Sequence, residues 1–138
     1  MNDQEQYLSP KACIDQLSTS LVRLEQALLA PVSNSLRMDA SIQRFKFAFD
    51  HLCRALQVVL LECEGIEVSS PRQSLKKAYA LEWIEGEKQW LTMLKDREQS
   101  SHSYEEGFAK ALSSRLEHHH ANMSVLAARL AEGSTRYE

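Results

Sequence analysis

Glycine and proline are scarce in this chain, with four Gly and three Pro among 138 residues. Many short strands joined by tight turns would need more of both, so a few long helices are expected. Long hydrophobic runs are lacking too. The most apolar stretch, around Leu56 to Leu61, is far too short to cross a bilayer, and no membrane association is expected. The first residues, Met1 to Tyr7, have neither the basic nor the apolar region of a secretion signal, so a cytoplasmic location is expected. Cysteine is limited to Cys13, Cys53 and Cys63, with no Cys-x-x-Cys spacing. An odd count within apolar helical runs reads as reduced thiols acting as small buried hydrophobes. A strong charge of either sign is also missing. Sixteen basic and 19 acidic residues leave a net charge of -3, which excludes broad electrostatic attraction to nucleic acid. Any RNA contact must then come from a local basic patch.

What is present suits one domain over residues 1–138. Hydrophobic residues make up 43% of the chain, enough for a core without disulfides, and the charged fraction is 25%. Ser9-Pro10 announces a first helix, with Ser9 as cap and Pro10 in the first position, where a missing N–H costs nothing. Ile14, Leu17, Leu21, Leu24 and Leu28 then recur at spacings of three and four, a seam for packing. Pro31 and Ser33-Asn34-Ser35 end it. A second helix is expected from Asp39 or Ser41 to about Glu64, with Ile42, Phe45, Phe49, Leu52, Leu56, Val59, Leu60 and Cys63 on its apolar face and Gly65 as a left-handed stop. So wide a face marks it as the central helix. Ser70-Pro71 starts a short third helix with Leu75, Ala78 and Tyr79 facing inward. Trp83 and Ile84 lead through Gly86 into a fourth helix, whose stripe is Trp90, Met93 and Leu94. A polar connection is expected from Asp96 to His102. Ser103 with Glu106 reads as a capping box for a fifth helix, which carries Phe108, Leu112, Leu116, Met123, Leu126 and Leu130 and ends at Gly133. No strand pattern stands out. The fold class is all-α, an up-and-down bundle of about five helices around a four-helix core.

The residues best suited to chemistry are Arg97, His102 and Tyr104. An arginine can grip phosphate oxygens in bidentate fashion, and a histidine can move a proton near neutral pH. His102 lies by the expected N-terminus of the fifth helix, whose field favours neutral imidazole and attracts anions. Such a set can hold a phosphodiester and activate a ribose 2′-hydroxyl, with no metal or other cofactor. The same spacing also fits an Arg paired with Asp96 or Glu98 and a His bonded to loop backbone.

Arg97-x4-His102-x-Tyr104 resembles the R-x4-H-x-Y motif of HEPN proteins (higher eukaryotes and prokaryotes nucleotide-binding domain). More closely, the chain resembles their nucleotidyltransferase substrate-binding subfamily, which includes HepT-like toxins. Supporting stretches are Arg44-Phe45-Lys46-Phe47-Ala48-Phe49, Ser70-Pro71-Arg72, Trp90-Leu91-Thr92-Met93-Leu94-Lys95-Asp96-Arg97 and Ser101-His102-Ser103-Tyr104. The resemblance covers about residues 38 to 116. The resemblance implies a helical homodimer that brings two motifs to a shared cleft and pairs with a minimal nucleotidyltransferase as antitoxin. It also implies that active members are metal-independent endoribonucleases. By position, Arg97 would bind the scissile phosphate of RNA, His102 would be the general acid or base, and adenylylation of Tyr104 by the partner would silence the site. The alternative is a non-enzymatic subunit that presents substrate to the nucleotidyltransferase. The chain departs from the motif at Glu98, where the superfamily usually has Asn, Asp or His. A Glu there can order Arg97, or compete for it and repel RNA. Ser101 completes the motif region.

Arg72, Lys76, Lys77 and Lys95 form a candidate RNA or phosphate patch, and read equally as a solvated helix face. Trp83, Trp90, Tyr79 and the helix-two phenylalanines suit core packing better than base stacking. Phe47 lies off the main stripe and is a candidate for the dimer surface. His118-His119-His120 point about 100° apart on a helix and cannot converge on one ion. His119 falls on the inner stripe, and the other two are expected to be exposed.

Overall fold

The computed structural model describes residues 8–34, 36–102 and 105–134. Its five helices are α1 (Pro10–Leu28), α2 (Arg37–Glu64), α3 (Pro71–Ala80), α4 (Glu87–Ser100) and α5 (Glu106–Ser134). The described residues are otherwise turns and connections, so the fold is an up-and-down helical bundle.

Local chemistry sets most helix ends. Ser9 accepts the Ala12 N–H at 3.1 Å, with Pro10 in the first position of α1. Ser70 accepts the Gln73 N–H at 3.2 Å, and Gln73 Oε1 in return accepts the Ser69 N–H at 2.8 Å. Each arrangement satisfies an N–H that has no partner inside the helix. Gly65 closes α2 at φ 67°, and the Gly65 and Ile66 N–H groups turn back to the Leu61 and Leu60 carbonyls. That left-handed backbone is why a glycine stands there.

α1, α2 and α5 pack on one another, and α3 and α4 cover the far side of α2, so α2 touches every other helix. Its stripe of Phe45, Phe49, Leu52, Leu56, Val59 and Leu60 is buried. Leu17 and Leu24 of α1, Leu75 of α3, Met93 of α4, and Leu112, Leu116 and Met123 of α5 meet it. Burial of these side chains, at roughly 25 cal/mol per Å² of apolar surface, is the main force holding the bundle together.

Several expectations need correction. α2 begins at Arg37, earlier than Asp39. α4 continues to Ser100, and Asp96 is buried within it at 4% exposure instead of opening a polar connection. A carboxylate can occupy that inner position because two side chains of α5 hydrogen-bond to it, as described below. α5 begins at Glu106, and the Ala109 N–H bonds the Glu105 carbonyl, which makes Glu105 the cap position. The Ser103 cap lies outside the described residues. α5 runs one residue past Gly133, to Ser134, and its 29 residues make it about 44 Å long. Tyr79 is 45% exposed, because Ser74, Leu75 and Ala78 already fill the inner face of the short α3.

Candidate functional site

Arg97 leaves α4 toward α2. Its Nε donates to Asp50 Oδ1 at 2.9 Å and its Nη2 to Asp50 Oδ2 at 2.8 Å, a side-on bidentate pair. Its Nη1 donates to Ser101 Oγ at 2.6 Å. These are its partners among the described residues. An arginine has five N–H donors, so one remains on each terminal nitrogen. The Arg97 side chain is 20% exposed and Asp50 54%, so the pair sits in a half-sheltered position at the surface. His102 follows in the turn after α4, exposed, with its N–H donating to the Gln99 carbonyl at 3.0 Å. Tyr104 lies outside the described residues.

The acidic partner of Arg97 is thus neither Asp96 nor Glu98. Asp50 was missed in the sequence, and only its place on α2 gives it away. It falls one turn after Phe47, on the outer face that also carries Gln43 and Arg54. Phe47 is 53% exposed there, as its place off the main stripe suggested.

Asp96 points the other way. Its Oδ2 accepts from Arg115 Nε at 2.8 Å, its Oδ1 from Arg115 Nη2 at 2.7 Å, and Oδ2 also meets His119 Nε2 at 2.8 Å. Burial alone would raise the Asp96 pKa. The hydrogen bonds from His119 and Arg115, with the Arg115 charge, outweigh it and hold the carboxyl below its ordinary value. His119 also stacks on Phe45, with ring centroids 5.4 Å apart. This cluster ties the last turns of α4, which carry Arg97, to α5.

The three consecutive histidines diverge. His118 is exposed, His119 is buried on Asp96, and His120 is half-buried rather than exposed, with Nε2 3.1 Å from the Leu21 carbonyl. Trp90, Phe45 and Phe49 are core, and Trp83 is half-buried, which favours packing over base stacking.

The basic residues divide. Arg72 and Lys95 share a shallow depression of about 610 Å³ with Glu87, Lys88, Leu91, Thr92 and Glu98. Lys76 stands at its edge, 3.6 Å from Glu87 Oε2. Lys77 is exposed on α3 and does not line it. Lys88 joins this patch without having been singled out, and Glu87 and Glu98 offset part of its charge. A second hollow of about 290 Å³ lies between α2 and the start of α3, with Asp50, Cys53, Arg54, Ser70 and Ser74 among its walls. Burial, and next the Asp50 carboxylate, push the Cys53 thiol up to about 12, which disfavours the thiolate there.

The model of the family described as "Nucleotidyltransferase substrate binding protein like" matches residues 12–132, and the chain belongs to that family. The match takes in α1 and the far half of α5, beyond the 38 to 116 over which the motifs carry the resemblance. The crystal structure of a Thermus thermophilus protein, ttk003001694, is similar at 29% identity and a TM-score of 0.78, covering 83% of this chain and 98% of that one. No curated protein matches.

Proposed function

We propose that this chain is the ribonuclease of a two-protein toxin–antitoxin unit whose other member is a minimal nucleotidyltransferase. The observation that carries this reading is the state of Arg97. Its guanidinium is fixed by Asp50 and Ser101, yet among the described residues one N–H on each terminal nitrogen has no acceptor, five residues before an exposed His102. Arg97 would hold the scissile phosphodiester. His102 would take the proton of the attacking 2′-hydroxyl or give one to the leaving oxygen. Arg97 and His102 between them supply charge and proton transfer, so cleavage would need no metal. Arg72 and Lys95, with Lys76 at the edge, would guide the RNA backbone along α3 and α4. A homodimer built on the outer face of α2 would bury Phe47 and bring two motifs together. Adenylylation of Tyr104 by the partner would add a bulky anion beside the phosphate site and silence it.

A second reading has its own support. Asp50 offsets the Arg97 charge, Glu98 adds another carboxylate nearby, and the family is described by substrate binding. In that reading the same site holds a phosphate for the nucleotidyltransferase and cuts nothing.

Expression in cells separates the two. The nuclease reading expects growth arrest and RNA cleavage that persists in EDTA, both lost in Arg97→Ala and His102→Ala. Intact RNA and normal growth with the wild-type chain alone would leave only the binding subunit. Incubation with the proposed nucleotidyltransferase partner and ATP tests the silencing step by an AMP mass increment on Tyr104.

A further inference from the structure

We infer that Asp50 is a positioning residue for the Arg97 phosphate clamp, acting at the cost of RNA affinity. This rests on the reading that Arg97 contacts the phosphate. Three observations carry it. The pair is bidentate, with both carboxylate oxygens at 2.8–2.9 Å, and it joins residues 47 apart in the chain. It occupies the Nε and Nη2 edge, while Ser101 takes one donor of Nη1, so the guanidinium plane is held from two sides. Asp50 is more than half exposed, and ion pairs so open to water contribute little to folding.

Two opposing effects follow from one carboxylate. A free arginine side chain has many rotamers, and ordering it only when RNA arrives would weaken catalysis. Asp50 makes that ordering in advance and leaves the remaining donors for the substrate. The same negative charge lies hydrogen-bonded to the clamp, where it repels the incoming phosphate. Removing the charge while keeping the shape therefore moves turnover and binding in opposite directions. Loss of a merely structural contact would not.

The test compares the wild-type chain with Asp50→Asn and Asp50→Glu on a mixed-sequence single-stranded RNA. Matched thermal melts serve as a check of folding. For Asp50→Asn, kcat falls about 10- to 100-fold, as expected when a positioned group loses its geometry. KM falls about fivefold in the same variant, the effect expected from one unit charge a few ångströms away in water. Asp50→Glu, which keeps both oxygens and the charge, recovers part of kcat and the wild-type KM. An unchanged or increased kcat in Asp50→Asn would overturn the inference, as would a KM that rises along with the loss of kcat.

A second measurement does not depend on cleavage. The ¹⁵N-Nε–H signal of Arg97 is expected to be protected from solvent exchange in the wild type and lost in Asp50→Asn, while that variant binds the same RNA more tightly. If the wild type cuts no RNA, the nuclease reading fails. The positioning role then stands or falls on this signal and on the binding alone. Equal Nε protection in both proteins, or weaker RNA binding by the variant, would sink it.

Discussion

Asp96 and Arg97 are neighbours on α4, yet their side chains leave in different directions, Asp96 inward to Arg115 and His119 of α5 and Arg97 across to Asp50 of α2. The first joins the end of α4 to the bundle. The second presents a cation at its surface. Adjacent residues on a helix point about 100° apart, so one turn of α4 serves both ends.

The Asp96 cluster should govern acid stability. Its folded pKa lies below the ordinary value of 3.8, so its contribution is complete above the unfolded value and is lost as pH falls through the folded one. The melting temperature is expected to drop steeply between about pH 5 and pH 2, and to drop less steeply in Asp96→Asn. At neutral pH, Arg115→Ala should destabilise by about 1.5–3 kcal/mol, the range for charge-assisted hydrogen bonds, as read by urea unfolding. No difference from wild type in either experiment would remove this role.

Phe45→Ala should cost about 3–5 kcal/mol, because the ring is fully buried and lies against both Phe49 and His119. Phe47→Ala, two residues on, should change monomer stability by less than about 0.5 kcal/mol. If Phe47 forms the dimer surface, that variant should instead shift the sedimentation of the chain toward monomer.

Gly65→Ala meets no neighbour within 4 Å, so its whole cost is the left-handed backbone at φ 67°. About 1–2 kcal/mol is expected. Ser70→Ala removes a cap and should cost about 1 kcal/mol. Thermal melts of the two variants give both values, and a neutral Gly65→Ala would contradict the assigned conformation.

RNA binding should respond to the patch in a graded way. Lys95→Ala should weaken binding uniformly across sequences and lower the slope of log affinity against log salt by about one. Glu98→Gln should strengthen binding, since it removes a carboxylate from the same depression. Titrations at several salt concentrations decide this, and an unchanged slope in Lys95→Ala would take Lys95 out of the contact surface.

The thiols should be inert near neutral pH. Burial raises all three, with Cys53 at about 12. Reaction of the native chain with a maleimide at about pH 7.5 should be slow, and should become fast for all three once urea unfolds the chain.

Helix order, the Ser9, Ser70 and Gly65 helix ends and the core stripes were legible in the amino-acid sequence because they depend on residues three and four apart. Ser9-Pro10, Ser70-Pro71 and Gly65 each set a boundary within one turn, and the α2 stripe declared that helix central. His119 on the inner stripe of α5 followed from the same periodicity. The Arg97 and His102 motif was legible as spacing, though its chemistry came from resemblance. Asp50 and the fate of Asp96 were not legible. Their partners lie 47 residues from Asp50 and 19 and 23 residues from Asp96, and no local rule pairs a carboxylate with an arginine on another helix. Asp96 read as a loop residue because a charge costs too much to bury alone, and only the packing of α5 brings Arg115 and His119 to it. Periodicity and spacing alone specify a helical bundle with an arginine and a histidine five residues apart. The tertiary structure decided which carboxylate orients that arginine, because the choice was made by the packing of α2 beside α4.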